Sequence, residues 1–227
     1  MQSVTVTTST LGCTTPKRKA RSVLLHPACK PLLFAMCVIP IVWLIYGAFS
    51  NNLGANPAEK LIRATGDWTL RFLCLTLSVT PLRRWTNQPA LIRFRRMLGV
   101  FTFFYACMHF LCYSWLDMGL MFDDIVRDIL KRPFILVGTG ALLLMTPLAL
   151  TSFNRAIRIL GAKNWQSLHR VIYLVVLLGL LHFFWMRSAK HDYAEVLTYA
   201  TLVAALLGSR LLTTYRIHRD QETDRKK

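Results

Sequence analysis

NWQSLHRVIYLVVLLGLLHFFW, residues 164–185, is apolar enough to lie in lipid and yet carries two histidines, His169 and His182, thirteen positions apart. A helix needs roughly 20 mostly apolar residues to cross the hydrocarbon layer, so a stretch of this length reads as a membrane span. Ionisable side chains inside a span are costly, so both histidines need a reason to be there. The rest of the chain repeats the pattern. Of its 227 residues 54% are hydrophobic, with a formal net charge of +17 and a mean hydropathy of +0.39. The apolar residues fall into six blocks, approximately 31–49, 66–82, 97–116, 133–151, 165–186 and 194–212, with most of the charge between them. This is the signature of an all-α membrane protein with six transmembrane helices, not of a soluble domain.

Six helices with short connections leave little chain for a separate domain, so the bundle over residues 31–212 is expected to be the functional unit, flanked by basic tails at 1–30 and 213–227. Neither GxGxxG after a strand nor GxxxxGK[ST] occurs, which argues against a nicotinamide-dependent reductase acting within this chain. Cys13, Cys29, Cys37, Cys74, Cys107 and Cys112 form no CxxC pair, and four of them lie within the apolar blocks, where cysteine serves as a small apolar filler. The Ser/Thr-rich start followed by PKRKAR resembles a targeting peptide in composition. The block after it is long for a signal-peptide core, however, and the basic run fits a disordered cytoplasmic tail.

Basic residues set the orientation. Arg83, Arg84, Arg93, Arg95 and Arg96 fall between the second and third blocks, and Arg155, Arg158 and Lys163 follow the fourth. With both tails these occupy one side of a six-span hairpin arrangement, so the positive-inside rule places both termini in the cytoplasm. The opposite connection, 117–132, mixes Asp117, Asp123, Asp124 and Asp128 with Arg127, Lys131 and Arg132. Because the charge is spread over juxtamembrane segments, topology and anionic lipid account for it better than nucleic acid does.

Three histidines lie within the blocks, His109 in the third and His169 and His182 in the fifth, whereas His26, His191 and His218 lie in loops or tails. A single intramembrane histidine is as readily an interhelical hydrogen bond as a ligand. Three on two helices, among Phe, Leu, Met, Tyr and Trp and without the cysteines or carboxylates of a zinc shell, suit a b-type haem: axial imidazoles, an apolar wall and cations for the propionates. Counting at 1.5 Å per residue from Arg96 and Trp165, His109 lies about 20 Å deep, His182 about 26 Å and His169 about 6 Å. His109 and His182 are therefore expected to pair in the outer half. On an ideal helix thirteen residues leave His169 and His182 about 220° apart, so they serve different sites at different depths, as an electron path across the membrane would require. Arg71, four residues after Asp67, is the expected propionate partner, the alternative being a snorkelling arginine paired with Asp67.

LGANPAEKLIRATGDWTLRFL, TPLRR, LIRFRRMLG, MHFLCY, KRPFILVG, LALTS, NWQSLHRVIYL and LHFFW occur in this order over roughly residues 50–212. Together they resemble the MsrQ (YedZ) family of the ferric-reductase-like transmembrane group. The resemblance implies a multi-pass protein of the bacterial inner membrane that binds haem b, one or two groups, and has been associated with FMN. It implies electron transfer from a cytoplasmic flavin reductase or the quinone pool to MsrP, a periplasmic molybdenum-containing methionine sulfoxide reductase that repairs oxidised envelope proteins. Catalysis is then expected in that partner. The family's haem histidines match His109, His169 and His182. The arginines of LIRFRR could hold a flavin phosphate, the plainer alternative being topology-setting charge. A self-contained ferric reductase or NADPH-oxidase-like enzyme is the competing reading, but such enzymes append flavin and nicotinamide domains, and here only about fifteen residues follow the last block.

Overall fold

The computed structural model describes residues 26–188 and 193–225; His191, Cys13 and the rest of 1–25 lie outside them. Among the described residues eight α-helices run in the order α1 (Cys29–Phe49), α2 (Pro57–Trp85), α3 (Ile92–Cys112), α4 (Phe122–Lys131), α5 (Pro133–Leu150), α6 (Asn154–His169), α7 (Ile172–Ser188) and α8 (Ala194–Arg225), and no strand occurs. Five stretches are long and apolar enough to cross a membrane by length and composition: Cys29–Phe49, Pro89–Asp117, Pro133–Leu150, Asn154–Ser188 and Ala194–Thr223. Outward-facing Trp43, Phe49, Leu143, Leu177 and Leu211 are largely exposed, a distribution that suits lipid rather than water.

The block at 66–82 is helical but falls outside that set. It belongs to α2, where Asp67 and Arg71 interrupt the apolar run. Asp67 is half-buried, whereas Arg71 is exposed with its guanidinium over Trp68; the rest of α2 is covered by its neighbours. Leu70, Leu73, Cys74 and Leu77 form one core with Val176 and Phe183 of α7 and Val203 and Leu206 of α8, while Phe72 and Val79 form another with Cys37 of α1 and Leu98, Phe101 and Tyr105 of α3. A helix wrapped by its neighbours need not be lipophilic all round.

Local sequence accounts for the ends and irregularities. The Asn56 side chain accepts from the Glu59 amide at 3.1 Å and Pro57 occupies the first turn, so α2 starts where it does. Pro40 interrupts the backbone ladder of α1, and Tyr105 enters beside it: its hydroxyl accepts from the Ile41 amide at 3.1 Å and donates to the Cys37 carbonyl at 2.9 Å. The Ile41 amide and the Cys37 carbonyl, which would otherwise bond each other, are thereby both satisfied without water. After α3 the chain widens into a π turn, Tyr113–Asp117.

Two expectations change, and the basic tail gains a helix. Residues 117–132, read as a loop, contain α4, an amphipathic helix that exposes Phe122, Val126 and Leu130 at successive turns. The tail after residue 212 continues α8 to Arg225. The stretch 165–186 is two helices: α6 closes at His169, Arg170 and Val171 form a turn, and α7 begins at Ile172. The 220° rotation of an ideal helix does not carry over, because the tightened turn at Arg170 and Val171 interrupts the ladder between His169 and His182.

The start of α2, the end of α3, the start of α5, the end of α7 and the start of α8 share one end of the bundle. The ion pairs Arg63–Glu59, Arg132–Asp128 and Arg187–Glu195 all lie there. Arg93, Arg95, Arg96 and Arg170 lie at the opposite end. We call the second, arginine-rich end inner and the first outer.

Candidate cofactor site

Near the outer end, α2, α3, α5 and α7 enclose a cavity of about 300 Å³. His109 enters it from α3 and His182 from α7, their ring centroids 6.1 Å apart and their planes 76° to each other. Nδ1 of His109 lies 2.8 Å from the Ile62 carbonyl of α2, and Nδ1 of His182 lies 2.6 Å from the Phe134 carbonyl of α5. A carbonyl oxygen only accepts, so each Nδ1 carries the proton and each Nε2 keeps its lone pair. Pinning of one ring nitrogen by a backbone carbonyl is how metal-ligating histidines are commonly oriented.

The two halves use the same device. Gly66 and Gly138 each lie four residues after the carbonyl that holds the imidazole. A Cβ on Gly66 would come within 3.1 Å of His109 Cε1, and one on Gly138 within 2.7 Å of His182 Nδ1. Each ring thus rests on a helix where the backbone is bare, close enough to reach the carbonyl one turn earlier.

The donor set can be compared with what a metal requires. Among the described residues no three His, Cys, Asp or Glu side chains gather, so a closed protein cage of the zinc type has no ligands here. Two imidazoles facing each other across an apolar cavity lined by Leu70, Leu73, Ala141, Leu142 and Val175 fit the axial positions of a haem. With their ring centroids 6.1 Å apart, His109 and His182 are the residues that would hold the iron of such a group.

His169 belongs to a second cavity of about 580 Å³ at the inner end, lined also by Arg93, Arg95, Arg96, Arg170 and Tyr173. Its ring stacks on Trp165 at 3.9 Å, its Nδ1 lies 3.1 Å from the Trp165 carbonyl, and its Nε2 is buried without a hydrogen-bond partner. Trp165 is itself held by its indole N–H, which donates to the Thr151 carbonyl at 2.8 Å. No other histidine and no Asp or Glu is among the residues lining this cavity, and Met145 lines both cavities.

Arg71 lies apart from the outer cavity lining: its guanidinium sits 4.7 Å over Trp68 and its Nε donates to the Tyr199 hydroxyl at 3.3 Å. Arg63 and Arg132 line the cavity instead. Sequence reading passed over Arg63 and counted Arg132 only among the mixed charges of 117–132, although each follows an acid at i−4, a spacing visible in the chain. It also missed Arg210 of α8, which donates to the Tyr173 hydroxyl at 2.7 Å and to the Leu77 carbonyl at 2.8 Å.

Comparison with known proteins decides the family. Residues 65–180 match the ferric reductase like transmembrane component family. The protein-methionine-sulfoxide reductase heme-binding subunit MsrQ of Polaromonas naphthalenivorans (strain CJ2) is 63% identical over 188 residues, covering 83% of this chain and 86% of that protein. The chain belongs to the MsrQ family. Proteins of the same description from Herminiimonas arsenicoxydans and Bordetella pertussis (strain Tohama I) are 46% and 48% identical, each over 82% of this chain and over 86% and 90% of their own lengths. No solved structure matches. The match to the ferric-reductase-like family starts at Thr65, beside Gly66, and ends at Leu180, two residues short of His182. It therefore takes in Gly138, His109 and His169, and stops just before the second imidazole of the outer cavity.

Proposed function

We propose that the protein is a haem b electron-transfer subunit of the inner membrane, with six crossings and both termini in the cytoplasm, in which His109 and His182 hold the iron. The carrying observation is the pair of opposed imidazoles 6.1 Å apart, each with Nδ1 committed to a backbone carbonyl and Nε2 left available. α2 supplies the sixth crossing. Bound haem supplies one-electron chemistry; the chain holds the iron from two helices and keeps water away with apolar walls.

The inner cavity is the donor side, where a cytoplasmic flavin reductase or the quinone pool delivers electrons. Arg93, Arg95, Arg96 and Arg170, with no acid in the lining, suit the phosphate of FMN. A second haem finds only one imidazole there, His169, which supports FMN over haem at this end. At the outer end electrons pass to MsrP, the periplasmic molybdenum-dependent methionine sulfoxide reductase. The relatives, heme-binding subunits of protein-methionine-sulfoxide reductase, support an acceptor of that class.

The visible spectrum of purified protein before and after dithionite tests the reading. A low-spin bis-imidazole spectrum is expected, lost or strongly reduced in His109→Ala and in His182→Ala at normal folded yield, since either change removes a strong axial bond. A colourless preparation from haem-sufficient cells would overturn it.

A further inference from the structure

The outer cavity carries two cations that the imidazole pair does not use. Arg63 lines it from α2 and Arg132 from the residue preceding α5. Both sit beside the ligand supports. Gly66, under His109, is three residues after Arg63, and Phe134, whose carbonyl holds His182, is two residues after Arg132. Each guanidinium is braced by the acid four residues before it, Arg63 to Glu59 at 2.7 Å and Arg132 to Asp128 at 2.9 Å, and Asp128 also accepts from the Tyr113 hydroxyl at 2.7 Å. A guanidinium offers five N–H donors in a planar fork and a single carboxylate accepts only some of them, so both arginines retain donors for another anion. Asp67 and Asp117 also line the cavity, so the rim as a whole is not positive. An acid that enters must therefore reach the two guanidiniums in particular.

We propose that Arg63 and Arg132 anchor the two carboxylates of a planar dicarboxylate ligand, the propionates of haem, and so turn its acid edge toward the outer end of the bundle. The inference rests on the reading that haem lies between His109 and His182, and it moves the anchoring role from Arg71 to these two residues. Forked, charge-assisted bonds fix orientation as well as affinity, which a lysine point charge does not do. The outward edge is then the one presented to the electron acceptor.

The test uses full-length protein, freed of haem and titrated with iron protoporphyrin IX and with its dimethyl ester, following the Soret band and the reduction potential. The wild type should prefer the diacid by roughly tenfold for each anchored carboxylate. Arg63→Gln and Arg132→Gln should each lose about one such factor, with a fall in potential but a retained bis-imidazole spectrum. Glu59→Gln and Asp128→Asn remove the bracing acids while leaving the guanidiniums, and should lower the preference by much less than the arginine variants do. Arg71→Gln should keep it. Equal binding of both porphyrins by the wild type, or loss of preference in the acid variants equal to that in the arginine variants, would overturn the anchor while leaving the imidazole pair standing. Failure to bind either porphyrin would overturn the haem reading and this inference with it.

Discussion

Gly138 and His182 show how closely the proposed ligand set depends on residues with no chemistry of their own. A Cβ at Gly138 would lie 2.7 Å from Nδ1, 2.9 Å from Cε1 and 3.2 Å from Cγ of His182, so the whole ring would have to move and its bond to Phe134 would break. At Gly66 the nearest contact is 3.1 Å and smaller adjustments suffice. Gly138→Ala is therefore expected to destabilise the protein by about 1–3 kcal/mol through overpacking. In a His182→Ala background the same change should stabilise by roughly 1 kcal/mol, because alanine is the better helix former. Thermal or denaturant unfolding of the four proteins in this cycle measures the difference; additivity of the two changes would remove the glycine from the cradle. Gly66→Ala should show the same pattern more weakly. The histidines were legible in the sequence because ionisable groups stand out in apolar blocks. The glycines were not, since a glycine in a membrane helix has many uses and only the fold shows which helix an imidazole approaches.

At the scale of elements, hydrophobic block length located the helices well, and α1 and α5 begin or end within two residues of the blocks that predict them. What it missed were features set by neighbours. α2 half-buries Asp67 among its neighbours while Arg71 stays exposed over Trp68, and the break at Arg170–Val171 leaves no trace in hydropathy since Val171 and Ile172 continue the apolar run. The break changes what His169 should do. It closes α6, stacks on Trp165 and lines only the inner cavity, while His182 belongs to α7 and the outer one. His169→Ala should therefore slow reduction driven from the cytoplasmic side while sparing most of the bis-imidazole spectrum. Stopped-flow reduction of proteoliposomes, compared with the static spectrum, reports the two effects separately. Complete haem loss in His169→Ala at normal folded yield would contradict the separation.

For the molecule as a whole, the proposed electron path ends at an outer face whose charge is now resolved by residue. The sequence indicated only that 117–132 is mixed in charge. In the structure Asp128 is committed to Tyr113 and Arg132, whereas Asp123 and Asp124 on the first turn of α4 are exposed. A soluble acceptor would meet those two acids while leaving Asp128 to its structural bonds. Charges at the edge of a small transient contact act on encounter rate more than on the bound complex, and salt screens them. Reduced haem in proteoliposomes should therefore be reoxidised only when both the molybdenum-containing reductase and a methionine sulfoxide substrate are added. If the acceptor approaches through a basic surface, the doubly reversed variant, Asp123→Lys with Asp124→Lys, should slow reoxidation roughly tenfold at low ionic strength and much less at high salt. Asp128→Asn should instead lower thermal stability with little effect on that salt dependence. Haem that stays reduced with both additions present, while the reductase works with an artificial donor, would exclude this acceptor. A rate unaltered by reversing Asp123 and Asp124 at any salt concentration would place the contact elsewhere on the outer face.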